Sequence, residues 1–186
     1  MSPKPQARPG PGAAKARLAE ILRVDHAGEL GAVSIYRGQQ AVFASARRDM
    51  PIAETLGEMQ AHEEAHLKAF DKLLTEHKVR PTLLTPFWRM AGFALGAGTA
   101  LLGEKAAHAC TEAVETVIEQ HYADQIEELR TREPELAEEL SRYRDDELAH
   151  RDQAIESGAR EAPGYALLSA AIHLGCRAAI KLAEKV

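Results

Sequence analysis

Residues 59–70 read MQAHEEAHLKAF, Met59 to Phe70. Two metal-binding patterns overlap in this stretch. His62-Glu63-Glu64-Ala65-His66 is a literal H-E-x-x-H, the zinc-peptidase pattern, and inside it Glu63 and His66 form a plainer pair spaced i, i+3. The two patterns predict different metals, folds and reactions. A second copy decides between them. Glu147-Leu148-Ala149-His150 repeats the pair, and there Asp146 stands where His62 stands in the first copy. The repeated unit is therefore E-x-x-H, and His62 is not part of it. A zinc peptidase also needs a third protein ligand and a metal-bound water, and it commonly presents substrate along a sheet edge, which this sequence does not predict.

Both copies fall on predicted helices, where residues i and i+3 share a face. A metal at that face takes one oxygen and one nitrogen from a single turn. Each copy also follows a helix with a carboxylate at similar distance. Glu29 lies 34 residues before Glu63, and Glu115 lies 32 before Glu147. Spacing alone leaves Glu112, at 35, open beside Glu115, while Glu119, at 28, fits less well. The chain thus reads as two helix hairpins, each giving one Glu and one Glu-x-x-His. That is the ligand set of ferritin-like di-iron and di-manganese bundles.

The rest of the chain agrees with an all-α fold, a ferritin-like four-helix bundle with additional apolar helices and a pseudo-twofold repeat of helix hairpins. No run of alternating β-branched residues is bounded by turns. Asp49-Met50-Pro51, Thr85-Pro86, Glu133-Pro134 and Ala162-Pro163 read as helix starts with proline in the first turn. Helices are expected over 14–48, 51–78, 86–103, 104–132, 134–158 and 163–184. In the first, the apolar stripe of Leu18, Ile21, Leu22, Ala32 and Tyr36 is interrupted by Asp25 and Glu29. A carboxylate there is costly unless paired or metal-bound.

With 186 residues, 45% of them apolar and 27% charged, one globular domain is expected. The net charge of −5 carries no basic footprint for nucleic acid. Cys110 and Cys176 are far apart and outside any C-x-x-C, so both are expected to be reduced and buried. Residues 1–17, MSPKPQARPGPGAAKAR, hold four prolines, four basic residues and no acid, and have no apolar core of a secretory signal. They are expected to form a disordered basic tail before a di-iron domain over 18–186. Without them the chain carries −9, from 19 basic and 28 acidic residues.

Four carboxylates and two histidines suit iron or manganese rather than thiophilic metals, and their four charges balance two ferrous ions. Ligand histidines need the second ring nitrogen held. Asp146 is the expected partner of His66, and Asp25 a further candidate partner for a ligand histidine. His26, His62 and His121 are expected to be surface or hydrogen-bonded histidines, with His121-Tyr122 near the pocket.

Longer strings carry a resemblance. RVDHAGELGAVSIYRGQ (Arg23–Gln39), RPTLLTPFWRMAGFALGAGTALLG (Arg80–Gly103), AVETVIEQHY (Ala113–Tyr122) and RDDELAH (Arg144–His150) closely resemble 5-demethoxyubiquinone hydroxylases, from about residue 18 to the C-terminus. The resemblance implies a ferritin-like di-iron monooxygenase of ubiquinone biosynthesis. Its metal ligands, carried over by position, are Glu29, Glu63, His66, Glu115, Glu147 and His150, which favours Glu115 over Glu112. It implies hydroxylation of a demethoxy polyprenyl benzoquinol ring, with dioxygen as oxygen source and electrons from an external donor.

Two apolar stretches fit a lipid substrate. Met90–Gly103, MAGFALGAGTALLG, is fourteen uncharged residues, short of the roughly 20 that span a bilayer. APGYALLSAAIHLGC, Ala162–Cys176, is similar. Together they are expected to form a membrane surface leading a polyprenyl tail to the metals, with Phe87, Trp88, Phe93 and Tyr165 at it or in the pocket. A second copy of the chain or an accessory lipid-binding protein would fit the same surface. The expected place is the cytoplasmic face of a bacterial inner membrane, with the mitochondrial matrix face as the alternative. Two other functions share the ligand set. Iron storage requires a closed shell and a polar iron path, which the apolar stretches oppose. A manganese catalase or rubrerythrin-like enzyme would turn over peroxide without quinol.

Overall fold

A computed structural model describes residues 11–45 and 51–185. Residues 1–10 of the expected tail and residues 46–50, where the first helix was expected to end, lie outside the described residues. The described residues form six α-helices and one short 3-10 turn, with no strand among them. The helices are α1 (Pro11–Ser45), α2 (Pro51–His77), α3 (Thr85–Leu101), α4 (Glu104–Leu129), α5 (Pro134–Glu156) and α6 (Tyr165–Ala183), with Ala159–Glu161 between the last two.

Local sequence explains most boundaries. Prolines stand in the first turn of α3 and α5, where a missing N–H costs nothing. Gly158, at φ +89°, follows the C-cap of α5 in the left-handed region that β-carbons disfavour. Gly164, at φ +71°, does the same before α6. The last helix consequently starts at Tyr165 rather than at Pro163. At the other end, α1 begins at Pro11, three residues before the start expected at 14. Arg17 anchors that end on α4, with Nε 3.0 Å from Glu128 Oε1.

The repeat is visible in the packing. The hairpins α1–α2 and α4–α5 build the bundle, α3 lies along α1, and α6 lies along α4. Small residues set the α1–α3 distance. A β-carbon on Gly96 would stand 2.0 Å from the Ile35 carbonyl oxygen, and one on Gly38 2.2 Å from that of Phe93. Two apolar clusters close the bundle. Ile21, Leu22, Phe70, Leu74, Tyr122, Leu129 and Leu140 fill one end. Tyr36, Phe43, Ile52, Leu56, Met59, Ala100 and Ala107 fill the other. Each large apolar side chain so buried contributes about 1.5–3 kcal/mol. Between the clusters the core turns polar.

Candidate metal centre

Six side chains converge in that polar layer: Glu29 from α1, Glu63 and His66 from α2, Glu115 from α4, and Glu147 and His150 from α5. All are buried, none more than 4% exposed. They form two overlapping groups whose ligand atoms lie within 4.8 Å of one another. One group is Glu29, Glu63, His66 and Glu147, and the other is Glu63, Glu115, Glu147 and His150. Glu63 and Glu147 belong to both, as bridging carboxylates would, and one Glu and one His flank them on each side.

The histidines present the same nitrogen. His66 Nδ1 stands 3.5 Å from Glu29 Oε2 and 3.4 Å from Glu147 Oε1. His150 Nδ1 stands 3.1 Å from Glu63 Oε1 and 3.6 Å from Glu147 Oε2. Each Nε2 faces outward to a partner. His66 Nε2 is 3.1 Å from Asp146 Oδ2, the expected pairing. His150 Nε2 is 3.1 Å from His62 Nδ1, with the two rings stacked. His62 is thus a hydrogen-bonded histidine, and it stands behind a ligand position.

The outer carboxylates are held by tyrosines. Tyr36 donates its hydroxyl to Glu115 Oε1 at 2.5 Å, and Tyr122 donates to Glu29 Oε1. Each tyrosine follows one outer glutamate by seven residues and bonds the other. Burial pushes both phenols well above their usual range, so they remain donors. A repeat read only for E-x-x-H misses these tyrosines. The signal was Glu-x6-Tyr-x2-Gln, present at Glu29, Tyr36 and Gln39 and again at Glu115, Tyr122 and Gln125. It also separates Glu115 from Glu112, which is buried but turned toward Arg160 Nε, 3.1 Å away. Glu119 is bound by Arg144 instead, at 2.8 Å.

Other expectations resolve differently. Asp25 reaches neither ligand histidine. It accepts from Gln125 Nε2 at 2.7 Å and lies 3.4 Å from His121 Nε2. The Tyr122 phenol is a core group outside the apolar pocket's lining, while His26 is a hydrogen-bonded histidine as expected, paired with Asp71 at 3.0 Å. Both cysteines are free, Cys110 buried and Cys176 half-buried.

The charge pattern fits a cation cage. Burial, followed by the charge of Glu147, pushes Glu63 and Glu115 well above the ordinary carboxylate range. Glu147 is also raised, chiefly by burial. Burial opposes the His66 imidazolium, but Glu147 and Glu29 outweigh it and lift its pKa to about 10. Burial lowers that of His150. Eight inward atoms have no well-formed hydrogen bond: Glu29 Oε2, both oxygens of Glu63 and Glu147, Glu115 Oε2, and Nδ1 of both histidines. One such orphan costs about 1–3 kcal/mol, more when charged. So many pointing at one place fit metal ions, and four carboxylates balance two divalent charges.

Beside the cage, α1, α3, α4 and α6 line a half-open apolar pocket of about 430 Å³. Its α1 wall includes Gly28, Gly31 and Ala32, close to Glu29 in sequence, and its α4 wall has Val114 and Ile118 on either side of Glu115 in sequence. Trp88 and Cys176 line it from α3 and α6, as Leu95 and Ile172 do. The outer faces of α3 and α6 and their ends carry exposed Leu83, Phe87, Met90, Phe93, Leu101, Leu167 and Leu174. By length and composition α6 could cross a membrane.

The family model described as ubiquinone biosynthesis protein COQ7 matches residues 16–183. The chain is 50% identical to a 3-demethoxyubiquinol 3-hydroxylase of Rhodospirillum rubrum over 178 residues, covering 96% of this chain and 82% of that one. It is 48% identical to the mitochondrial NADPH-dependent 3-demethoxyubiquinone 3-hydroxylase of Bos taurus, covering 89% of this chain and 76% of that one. It is 40% identical to the mitochondrial 5-demethoxyubiquinone hydroxylase of Saccharomyces cerevisiae, covering 91% and 78%.

Proposed function

The chain belongs to the family of ubiquinone biosynthesis protein COQ7, and from that premise we propose that it is a di-iron monooxygenase that hydroxylates the ring of a demethoxy polyprenyl benzoquinol. Membership makes it a hydroxylase of ubiquinone biosynthesis; the paired irons, dioxygen and the membrane surface are what this reading adds. The observation that carries it is the buried cage of four carboxylates and two imidazoles, whose inward atoms lack hydrogen bonds. When bound, two ferrous ions supply two electrons and open positions for dioxygen.

The residues divide the remaining work. Glu63 and Glu147, which belong to both ligand groups, would be shared by the two ions, while Glu29 with His66 would complete one site and Glu115 with His150 the other. Tyr122 and Tyr36 fix the outer carboxylates, and Asp146 and His62 orient the imidazoles. The pocket takes the apolar part of the quinol and keeps water from the ring. Placing one oxygen atom on the ring and releasing the other as water takes two electrons and two protons from a donor. The mammalian relatives are named NADPH-dependent, so a nicotinamide is the donor to try first.

The exposed apolar faces of α3 and α6 rest on a leaflet and admit the polyprenyl tail from the side. Bacterial and mitochondrial relatives both exist; the matching surfaces are the cytoplasmic face of a bacterial inner membrane and the matrix face of the mitochondrial one. A homo-oligomer or an accessory lipid-binding protein would use the same faces. The test is a turnover of iron-loaded protein with demethoxyubiquinol, reductant and ¹⁸O-labelled dioxygen. One labelled ring hydroxyl is expected; a hydroxyl carrying oxygen from water would overturn the reading.

A further inference from the structure

The two halves of the cage match in almost every respect. Each has one flanking Glu, one His using Nδ1, and a share in Glu63 and Glu147. Each flanking Glu accepts from a tyrosine of the opposite helix. The halves part at the atom behind each imidazole. Position 62 precedes Glu63 as position 146 precedes Glu147, yet one is His and the other Asp. Each reaches across to the other helix, Asp146 to His66 Nε2 and His62 to His150 Nε2, both at 3.1 Å.

A metal on Nδ1 leaves the ring proton on Nε2, so both ligand histidines are donors to what stands behind them. Behind His66 the acceptor is a carboxylate. That bond is charge-assisted, about twice as strong as a neutral one, and it drives electron density onto the metal-facing nitrogen. Behind His150 the acceptor is a neutral imidazole, whose own remaining proton must sit on its Nε2. It orients His150 but adds no negative charge.

We propose that the two metal positions are inequivalent by construction: the position of Glu29 and His66, backed by Asp146, fills first, and that of Glu115 and His150, backed by His62, fills second. The inference rests on the di-iron reading above and concerns how this chain loads its metals. Losing the residue behind a ligand histidine costs about 10–100-fold in metal affinity or activity; here both positions keep a partner and only its charge differs, so a gap of about 10-fold is expected.

The experiment is equilibrium dialysis of the full, chelator-stripped chain against ferrous ion under argon, with metal analysis of each cell. Wild type is expected to show two classes of one ion each. His66→Ala should abolish the tighter class and His150→Ala the weaker. Asp146→Asn should weaken the tighter class about 10-fold, with helix content checked by circular dichroism. His62→Asp should tighten the weaker class, a gain that damaged folding cannot imitate. Two ions of equal affinity in wild type, or a His62→Asp chain whose weaker class is unmoved, would overturn this inference alone. A wild-type chain that takes up no pair of ions would overturn the di-iron reading beneath it.

Discussion

Tyr36 on α1 donates its hydroxyl to Glu115 on α4 across 2.5 Å, wholly inside the core. Tyr122 on α4 returns the bond to Glu29 on α1. These crossed bonds tie together the two helices that carry the outer carboxylates.

Removing either hydroxyl leaves a buried carboxylate oxygen without its donor. Tyr36→Phe and Tyr122→Phe should each lose about 1–3 kcal/mol of stability, read as lower urea midpoints. Unchanged midpoints in both variants would show that the bonds contribute nothing.

The pH dependence of stability should change sign when metal is removed. Burial raises the folded-state pKa of Glu63, Glu115 and Glu147. A raised acid contributes stability that is full below its unfolded value, about 4.3, and is lost as pH rises through the folded one. His66, lifted to about 10, acts in the same direction, its share fading as pH rises toward that value. His150, lowered by burial, opposes only below its unfolded value near 6.5. Chelator-treated protein should therefore melt higher at pH 6.5 than at pH 8.5. Loaded protein should do the reverse, because metal needs deprotonated ligands. Free metal at 100 times its dissociation constant should add about 2.7 kcal/mol. Parallel melting curves with and without chelator would contradict the cage.

Two glycines of α3 should respond oppositely to the same change. In Gly96→Ala the new carbon meets the Ile35 carbonyl at 2.0 Å, so α1 and α3 must separate at a cost of about 1–3 kcal/mol. In Gly98→Ala nothing lies within 4 Å, and helix propensity should add up to about 1 kcal/mol. Thermal melts of the pair decide it. Equal shifts would mean that α3 does not pack on α1 this closely.

Leu167 and Leu174 are 79% and 71% exposed on α6. Leu167→Glu with Leu174→Glu should cut flotation with anionic liposomes several-fold while leaving the melting temperature within a degree or two. Turnover of a short-tailed, water-soluble quinol should persist. Undiminished flotation would remove the α6 face from the membrane account.

Much of the fold was legible because its signals are local. Prolines open α2, α3 and α5 where expected, and an i, i+3 pair shares a helix face whatever surrounds it. The repeat of that pair picked out Glu63, His66, Glu147 and His150, helix spacing added Glu29, and the family resemblance favoured Glu115 over Glu112. What escaped the reading depended on contacts between distant helices. Asp25 looked like a partner for a ligand histidine, but the rotation of α4 brings Gln125 and His121 to it instead. His62 was set aside because Asp146 differs from it in identity, although both stand behind a ligand imidazole. Glu112 and Glu115 are one turn apart, and spacing alone does not choose between them; the structure turns Glu112 toward Arg160, which the turn after α5 delivers.

The most direct measurement is anomalous diffraction at the iron edge from crystals grown with excess ferrous ion. Two peaks about 3.5–4 Å apart, between Glu63 and Glu147 with His66 and His150 at opposite ends, are the predicted result. A lone peak at the zinc edge, or iron bound away from these six side chains, would contradict the account.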